Sequence, residues 1–265
     1  MRTKSDREPG TGPGRPPRVL VPEASSGRSG DEIPFGQEEL RHLRVRRLRD
    51  GDEVVVLDGR GGRGSGTIAS KGAAVRLTFF EEAAGAFSPS SRPSFASLPG
   101  EPALRLTVLL AAAEPARVEW AVEKGTECGA AAFVLLACER SQRAHVAALR
   151  ARLARLTRIA AEATKQCDRT IVPAVEGPEA AADVLRRWTG RLLLAAPDAP
   201  PLGPGFAGKG GEGPRAVAIG PEGGFSPPER ALFEECGALS FSLGPRILRL
   251  ETAVVAAVTL LVGGR

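Results

Sequence analysis

The sequence predicts two units of different class: a small β-barrel at the N-terminal end, and behind it an α/β domain on a mainly parallel sheet. Three observations carry this. Short β-like runs fill the stretch between Val19 and Glu82, a Ser/Pro-rich segment without periodicity follows, and strand-like and helix-like segments then alternate from Leu104 onward. A length of 265 residues suits two modest domains. The expected boundaries are 1–17 for a tail, 18–82 for the barrel, 83–102 for a linker and 103–265 for the α/β domain.

Taken in order, residues 1–17 are rich in Pro, Gly and charge and read as a disordered tail. The barrel strands are Glu53–Leu57, Gly66–Ala69 and Ala74–Phe80, punctuated by Asp58-Gly59 and Gly61-Gly62 turn signals. In the second domain a strand is expected over Leu104–Leu110, a helix around Pro115–Cys128 and a strand over Phe133–Leu136. Then comes one long helix, in which Val146, Leu149, Leu153, Leu156, Ala160 and Ala163 build an apolar stripe. Arg150, Arg152, Arg155 and Arg158 fall off that stripe. Three more short strands, Arg191–Ala196, Arg215–Ile219 and Ala238–Leu243, each run into a Gly- or Pro-bearing loop, and an apolar helix covers Thr252–Val262.

Composition narrows the function classes. With 42% hydrophobic and 25% charged residues the chain has the make-up of a soluble globular protein, and no apolar stretch reaches the roughly 18–20 residues of a membrane span. The first residues lack the apolar core of a secretory signal, so a cytoplasmic location is expected. Cys128, Cys138, Cys167 and Cys236 form no C-x-x-C pair and lie near no His cluster, which favours reduced thiols over a zinc site or a disulfide framework. The charge is +5, from 36 basic and 31 acidic residues, and arginine supplies nearly all of the positive side. Guanidinium forks suit phosphate contacts, although genomic base composition is an equally good source of the bias.

Two loops carry chemistry. In Ile219-Gly-Pro-Glu-Gly-Gly-Phe-Ser-Pro-Pro-Glu229 the Ser226/Glu229 pair is a capping box and Pro227 takes the first helical position, so a helix starts directly after the glycines. The loop therefore lies at a carboxyl strand end, where open α/β sheets bind ligands. Its spacing matches neither G-x-G-x-x-G nor a P-loop, and alone it reads slightly better as a connecting turn. The second loop, Leu243-Gly-Pro-Arg-Ile-Leu-Arg-Leu-Glu-Thr-Ala253, also follows a strand and precedes a helix. Together the two can form one pocket. Arg249 and Glu251 have a plainer alternative, a local ion pair at the start of the last helix.

These residues closely resemble the RsmE family, the 16S ribosomal RNA uridine-N3 methyltransferases of the SPOUT class. Beyond the two loops, Glu119-Trp-Ala-Val-Glu-Lys-Gly-Thr-Glu-Cys-Gly129 is similar to the family's E-K-A-T-E-L-G helix end. Glu139-Arg-Ser141, Ala161–Arg169 and Val172-Pro173 match in order and type, as do His42–Arg47, Gly51-Asp52 and Asp58-Gly59 in the first domain. Leu250 replaces a usual Thr, Cys128 a Leu and Glu114 a Lys, and the interval from His42 to Gly51 is one residue short. The tail and linker have no counterpart.

The resemblance implies a PUA-like RNA-binding barrel, a trefoil-knotted methyltransferase domain, a homodimer, S-adenosylmethionine (SAM) as cofactor and 16S ribosomal RNA of the small subunit as partner. It implies cofactor contacts from Leu194, Ala195 and Ala196, from Ile219, Gly220, Pro221, Glu222, Gly223 and Gly224, and from Leu243, Gly244, Arg246, Ile247 and Leu248. Arg249, with Arg246, is expected to stabilise the uracil anion; Glu222 or Glu251 either orients groups or accepts the proton, or both carboxylates only fix the loops. RNA contacts are expected from Arg41, His42, Arg44, Arg47, Arg140, Arg143 and Arg169, within two arginine-rich clusters. The other functional readings are methylation of another RNA or base, and a non-catalytic RNA-binding protein of ribosome assembly.

Overall fold

A computed structural model describes residues 16–82, 98, 100–201 and 215–263. The tail expected at 1–17 and the linker at 83–102 lie mostly outside the described residues. Contacts divide the chain into two compact units, one within Met1–Leu57 and Arg63–Glu81, the other within Asp58–Gly62 and Glu82–Arg265.

The first unit runs β1 (Arg18–Leu20), a 3-10 turn (Pro22–Ser26), β2 (Glu32–Pro34), α1 (Gln37–Arg46), β3 (Glu53–Leu57), β4 (Arg63–Ala69) and β5 (Ala74–Glu81). Its sheet has the order β1-β3-β4-β5-β2, with β1 parallel to β3 and every other pair antiparallel. The two outermost strands stay unpaired with each other, so the unit is a half-barrel. Its open side is filled from Ala24 on the 3-10 turn and Leu43 on α1, which join Val19, Val54, Val56, Val75 and Leu77 in one core. A bulge between Ser65 and Gly66 bends β4 against β5, and there a Cβ on Gly66 would lie 2.6 Å from the Arg76 carbonyl. Only glycine admits so close an approach.

The second unit follows as β6 (Leu106–Ala111), α2 (Pro115–Glu127), β7 (Ala132–Ala137), α3 (Arg143–Ala151), α4 (Leu153–Gln166), β8 (Ala174–Ala180), α5 (Ala181–Arg187), β9 (Arg191–Ala195), β10 (Arg215–Ile219), α6 (Pro227–Glu235), β11 (Leu239–Phe241) and α7 (Leu250–Val262). All six strands are parallel, in the order β11-β9-β10-β6-β7-β8. Alternate side chains of the central strands point to opposite faces. Leu106, Val108, Leu110 and Val217 meet α2, α3, α4 and α7 on one face; Leu109, Ala111, Ala216 and Ala218 meet α5 and α6 on the other. A strand buried on both faces needs an unbroken apolar run, which is why Arg215–Ile219 shows no alternation.

One expected element is corrected. The long helix is two, α3 and α4, parted at Arg152, whose φ of −109° and ψ of 9° leave the helical region. The apolar stripe survives the break, because Leu149, Leu156, Ala160 and Ala163 are all buried. Among the described residues no helix is long and apolar enough to cross a membrane.

Candidate active site

The carboxyl ends of β9, β10 and β11 lie side by side, and the chain leaving each one lines a single cavity of about 570 Å³. The strand order changes direction here: β6, β7 and β8 progress one way from the centre while β9, β10 and β11 occupy the other side. Such a switch point is where an open α/β sheet leaves a crevice for a ligand. The volume is within the range of small-molecule sites, and the walls are mostly apolar side chains and backbone.

Each wall has a local cause. The Ser226 backbone N–H donates to Glu229 Oε2 at 2.8 Å and the Glu229 N–H to Ser226 Oγ at 3.3 Å, so the capping box forms and α6 begins where the glycine loop ends. Phe225 turns inward onto Phe233, ring centroids 4.7 Å apart, and a Cβ on Gly220 would press on the Phe225 ring at 3.0 Å. In the last loop Ser242 Oγ both accepts from the Gly244 N–H and donates to the Gly244 carbonyl, each at 3.1 Å. That tight turn holds Gly244 at a φ of +110°, a conformation that disfavours any side chain.

Every residue expected to touch the cofactor lines this cavity: Leu194, Ala195, Ala196, Ile219 through Gly224, Leu243, Gly244, Arg246, Ile247 and Leu248. Arg249 and Glu222 line it too. Glu251 does not; it sits in the first turn of α7, half-buried, with Oε2 lacking a hydrogen-bond partner. Arg117, Arg140 and Arg230 also line the cavity. Arg117 donates to Glu222 Oε1 and pairs with Glu114 at 3.3 Å, Arg140 Nη1 donates to the Gly223 carbonyl at 2.6 Å, and Arg230 pairs with Asp198 at 2.7 Å. Arg246 and Arg249 are exposed and pair with no carboxylate among the described residues. Ile247 between them is 91% exposed.

The RNA-facing expectations divide. Arg41, Arg44 and Arg47 are exposed on α1 and its left-handed cap, His42 on the same helix is half-buried, and Arg143 is exposed at the start of α3. Arg169 contradicts its expected role. It is 3% exposed, its Nε and Nη2 donate to Glu101 Oε2, and its Nη1 donates to the carbonyls of Thr126 and Ala130 at 2.9 and 2.7 Å. A guanidinium enclosed and spent in this way has no face left for a phosphate. Other cations of α3 and α4 are likewise engaged: Arg152 and Arg155 on Glu119, whose carboxyl Arg155 holds below its ordinary range, Arg150 on the Pro178 carbonyl, and Lys165 on Glu162.

Arg117 and Arg230 were not singled out from sequence. Arg117 follows β6 on the first turn of α2, but its partner Glu222 is distant in the chain, and nothing local reports the pairing. Burial, with the nearby Glu229 charge, pushes the Cys138 thiol up to about 12, so it is protonated and inert at neutral pH. Among the described residues no group of His, Cys, Asp and Glu could hold a metal ion.

A parallel α/β sheet with a glycine-walled cavity at the carboxyl ends of its strands defines an α/β protein built to hold a small-molecule ligand. The family model for the RNA methyltransferase domain matches residues 100–262, and that for the RNA methyltransferase PUA domain matches residues 35–77. A Synechocystis ribosomal RNA small subunit methyltransferase E is 30% identical over 223 residues, 81% of this chain and 67% of that protein. The Bacillus subtilis protein of the same name is 32% identical over 146 residues, 52% of this chain, and the match spans only 57% of that relative's length. The chain belongs to the ribosomal RNA small subunit methyltransferase E family. It shares the fold of the Neisseria gonorrhoeae member solved bound to S-adenosyl methionine, with a TM-score of 0.77 at 24% identity, covering 93% of this chain and 97% of that one.

Proposed function

We propose that the protein transfers a methyl group from SAM to N3 of a uridine in 16S ribosomal RNA of the small subunit, working in the cytoplasm as a knotted homodimer. The observation that carries the reading is the cavity itself: three strand ends, a wall with three glycines in five residues, and two arginines at its rim with no carboxylate partner among the described residues. Bound SAM supplies an electrophilic methyl on a sulfonium. The chain supplies position and charge. Leu194–Ala196, Ile219–Gly224 and Leu243–Leu248 would enclose the cofactor, and holding both reactants in line would account for about 7–11 kcal/mol when the geometry is close to attack.

Methylation at N3 replaces the imide proton, which passes to solvent water, so negative charge gathers on N3 and the uracil oxygens as that proton leaves. In this reading Arg249, with Arg246, stabilises that charge; both line the cavity. Glu251 lies outside the cavity lining, which leaves Glu222 as the carboxylate facing it. The exposed Trp120 on α2 and Leu260 on α7, two helices that pack on each other, offer apolar surface to a second copy.

The test is incubation of the purified chain with unmethylated small subunits and SAM, followed by mass mapping of the RNA. One new methyl on a uridine is expected. Arg249→Ala should retain SAM binding and lose turnover by about 100-fold or more, the cost of removing one transition-state donor. Absence of methyl transfer by the intact chain, or transfer to another base, defeats the reading.

A further inference from the structure

We propose that Arg117 and Arg140 are positioning residues that clamp the Gly220–Gly224 wall from outside the loop, and that Glu222 is the anchor for that clamp rather than the proton acceptor. The proposal rests on the reading of the cavity as a SAM site. Within the wall the backbone makes one turn bond, from the Gly224 N–H to the Pro221 carbonyl at 2.8 Å. A loop with three glycines in five residues loses more conformational freedom on ordering than other sequences do, so its shape depends on external fixing.

Two guanidiniums provide it from separate elements. Arg140, in the turn after β7, donates from Nη1 to the Gly223 carbonyl at 2.6 Å, and Arg117 on α2 donates to Glu222 Oε1. The turn that carries Arg140 is itself anchored. The Glu139 N–H donates to Glu229 Oε1 at 2.9 Å, and Ser141 Oγ donates to the Ala112 carbonyl at 2.8 Å. Glu229 is buried, and its other oxygen closes the capping box at Ser226. One carboxylate thus ties the strut that carries Arg140 to the far end of the wall. Glu114, the acid standing where the family usually has Lys, shares Arg117 with Glu222.

This sorts the arginines of the cavity by work. Arg117 and Arg140 hold the wall, Arg230 is on Asp198, and Arg246 and Arg249 stay available to the nucleotide. Pre-ordering a binding wall strengthens affinity by removing the ordering cost from the binding step. The clamp therefore acts on cofactor affinity first. Glu222 Oε1 is occupied by the Arg117 guanidinium, and in this reading the carboxylate anchors the wall instead of taking the proton.

The experiment is calorimetry of SAM binding to the full chain, with steady-state kinetics and binding to small subunits, for wild type, R140A, R140K, R117A, R117K and E222Q. R140A, R117A and E222Q should each raise the Kd for SAM by about two- to fivefold, the order expected for a solvent-exposed charge-assisted contact. The rise in KM for SAM should exceed the fall in kcat, the pH profile of kcat for E222Q should keep its wild-type shape, and R140K should recover part of the affinity, since an ammonium still reaches a carbonyl. The Lys variants report on the clamp if an Ala variant loses its cooperative thermal melt. Wild-type SAM affinity in R140A and R117A overturns the clamp. Weakened subunit binding with unchanged SAM affinity returns Arg140 to the RNA face, and loss of a pH limb in E222Q makes Glu222 the base. A wild-type chain that binds no SAM overturns the cofactor reading and the clamp with it; wild-type binding with unaltered variants overturns the clamp alone.

Discussion

The side chains of Arg169 and Glu101 are 3% and 1% exposed; Nε and Nη2 of the guanidinium donate to Glu101 Oε2, and Nη1 donates to the Thr126 and Ala130 carbonyls. Glu101 Oε1 accepts from the backbone of Thr170 and Ile171, each at 2.8 Å, so the pair pins three chain segments at once. Taking away the guanidinium strands a buried carboxylate and two buried carbonyls. Arg169→Ala should lower unfolding free energy by about 3–5 kcal/mol, measured by urea denaturation, whereas truncating an exposed phosphate contact would scarcely move it. Adding Glu101→Leu to Arg169→Met should restore much of the loss, because the penalty comes from the unpaired charge and not from the absence of an ion pair. A single variant as stable as the wild type would mean that solvent reaches Glu101. The sequence held no warning of this burial: an Arg in Gln-Cys-Asp-Arg beside other cations reads as surface, and its acidic partner precedes it by almost the length of a domain.

Elements differ in how openly the sequence shows them. β3 and β10 are apolar runs between charged or Gly-bearing boundaries, and both occur at the predicted residues. α6 is legible because its start is chemical: Ser226, Pro227 and Glu229 specify a helix beginning before any periodicity is needed. β8 is not legible, since Ala174–Ala180 contains two Glu, a Gly and a Pro; an edge strand leaves half its surface to solvent and needs no apolar run. α1 is hidden by charge, as Gln37–Arg46 buries only Glu39 and Leu43. The break at Arg152 has no Gly or Pro to mark it, and is held from outside by the Arg152 and Arg155 pairs with Glu119 on α2. The cap is where element and site meet. Ser226→Ala should cost about 1 kcal/mol of stability by thermal melting. It should also weaken SAM binding, since the first turn of α6 continues directly from the glycine wall. Loss of stability with unchanged SAM affinity would separate the cap from the cavity.

At the scale of the whole molecule the formal charge of +5 is less informative than which cations remain available. In the second unit Arg150, Arg152, Arg155, Lys165 and Arg169 are engaged by carboxylates or carbonyls, and Arg140 by the glycine wall. In the first unit Arg41, Arg44, Arg46, Arg47 and Arg49 are exposed along α1 and the turn after it, around a Val45 that is 84% exposed. An engaged guanidinium gives up a partner to meet a phosphate, while an unengaged one releases counterions at little cost, so attraction to RNA should reside chiefly in the half-barrel. Affinity for small ribosomal subunits should fall linearly in a plot of log K against log salt, with each phosphate contact adding roughly 0.7–0.9 to the slope. The triple change Arg41→Ala, Arg44→Ala and Arg47→Ala should flatten that slope by about 2. Arg152→Ala with Arg155→Ala should leave the slope alone and lower stability slightly, through the unpaired Glu119. The reverse pattern, a steep slope in the triple variant and a flat one in the double, would place the RNA on the α3 and α4 face and show that those ion pairs open when RNA arrives.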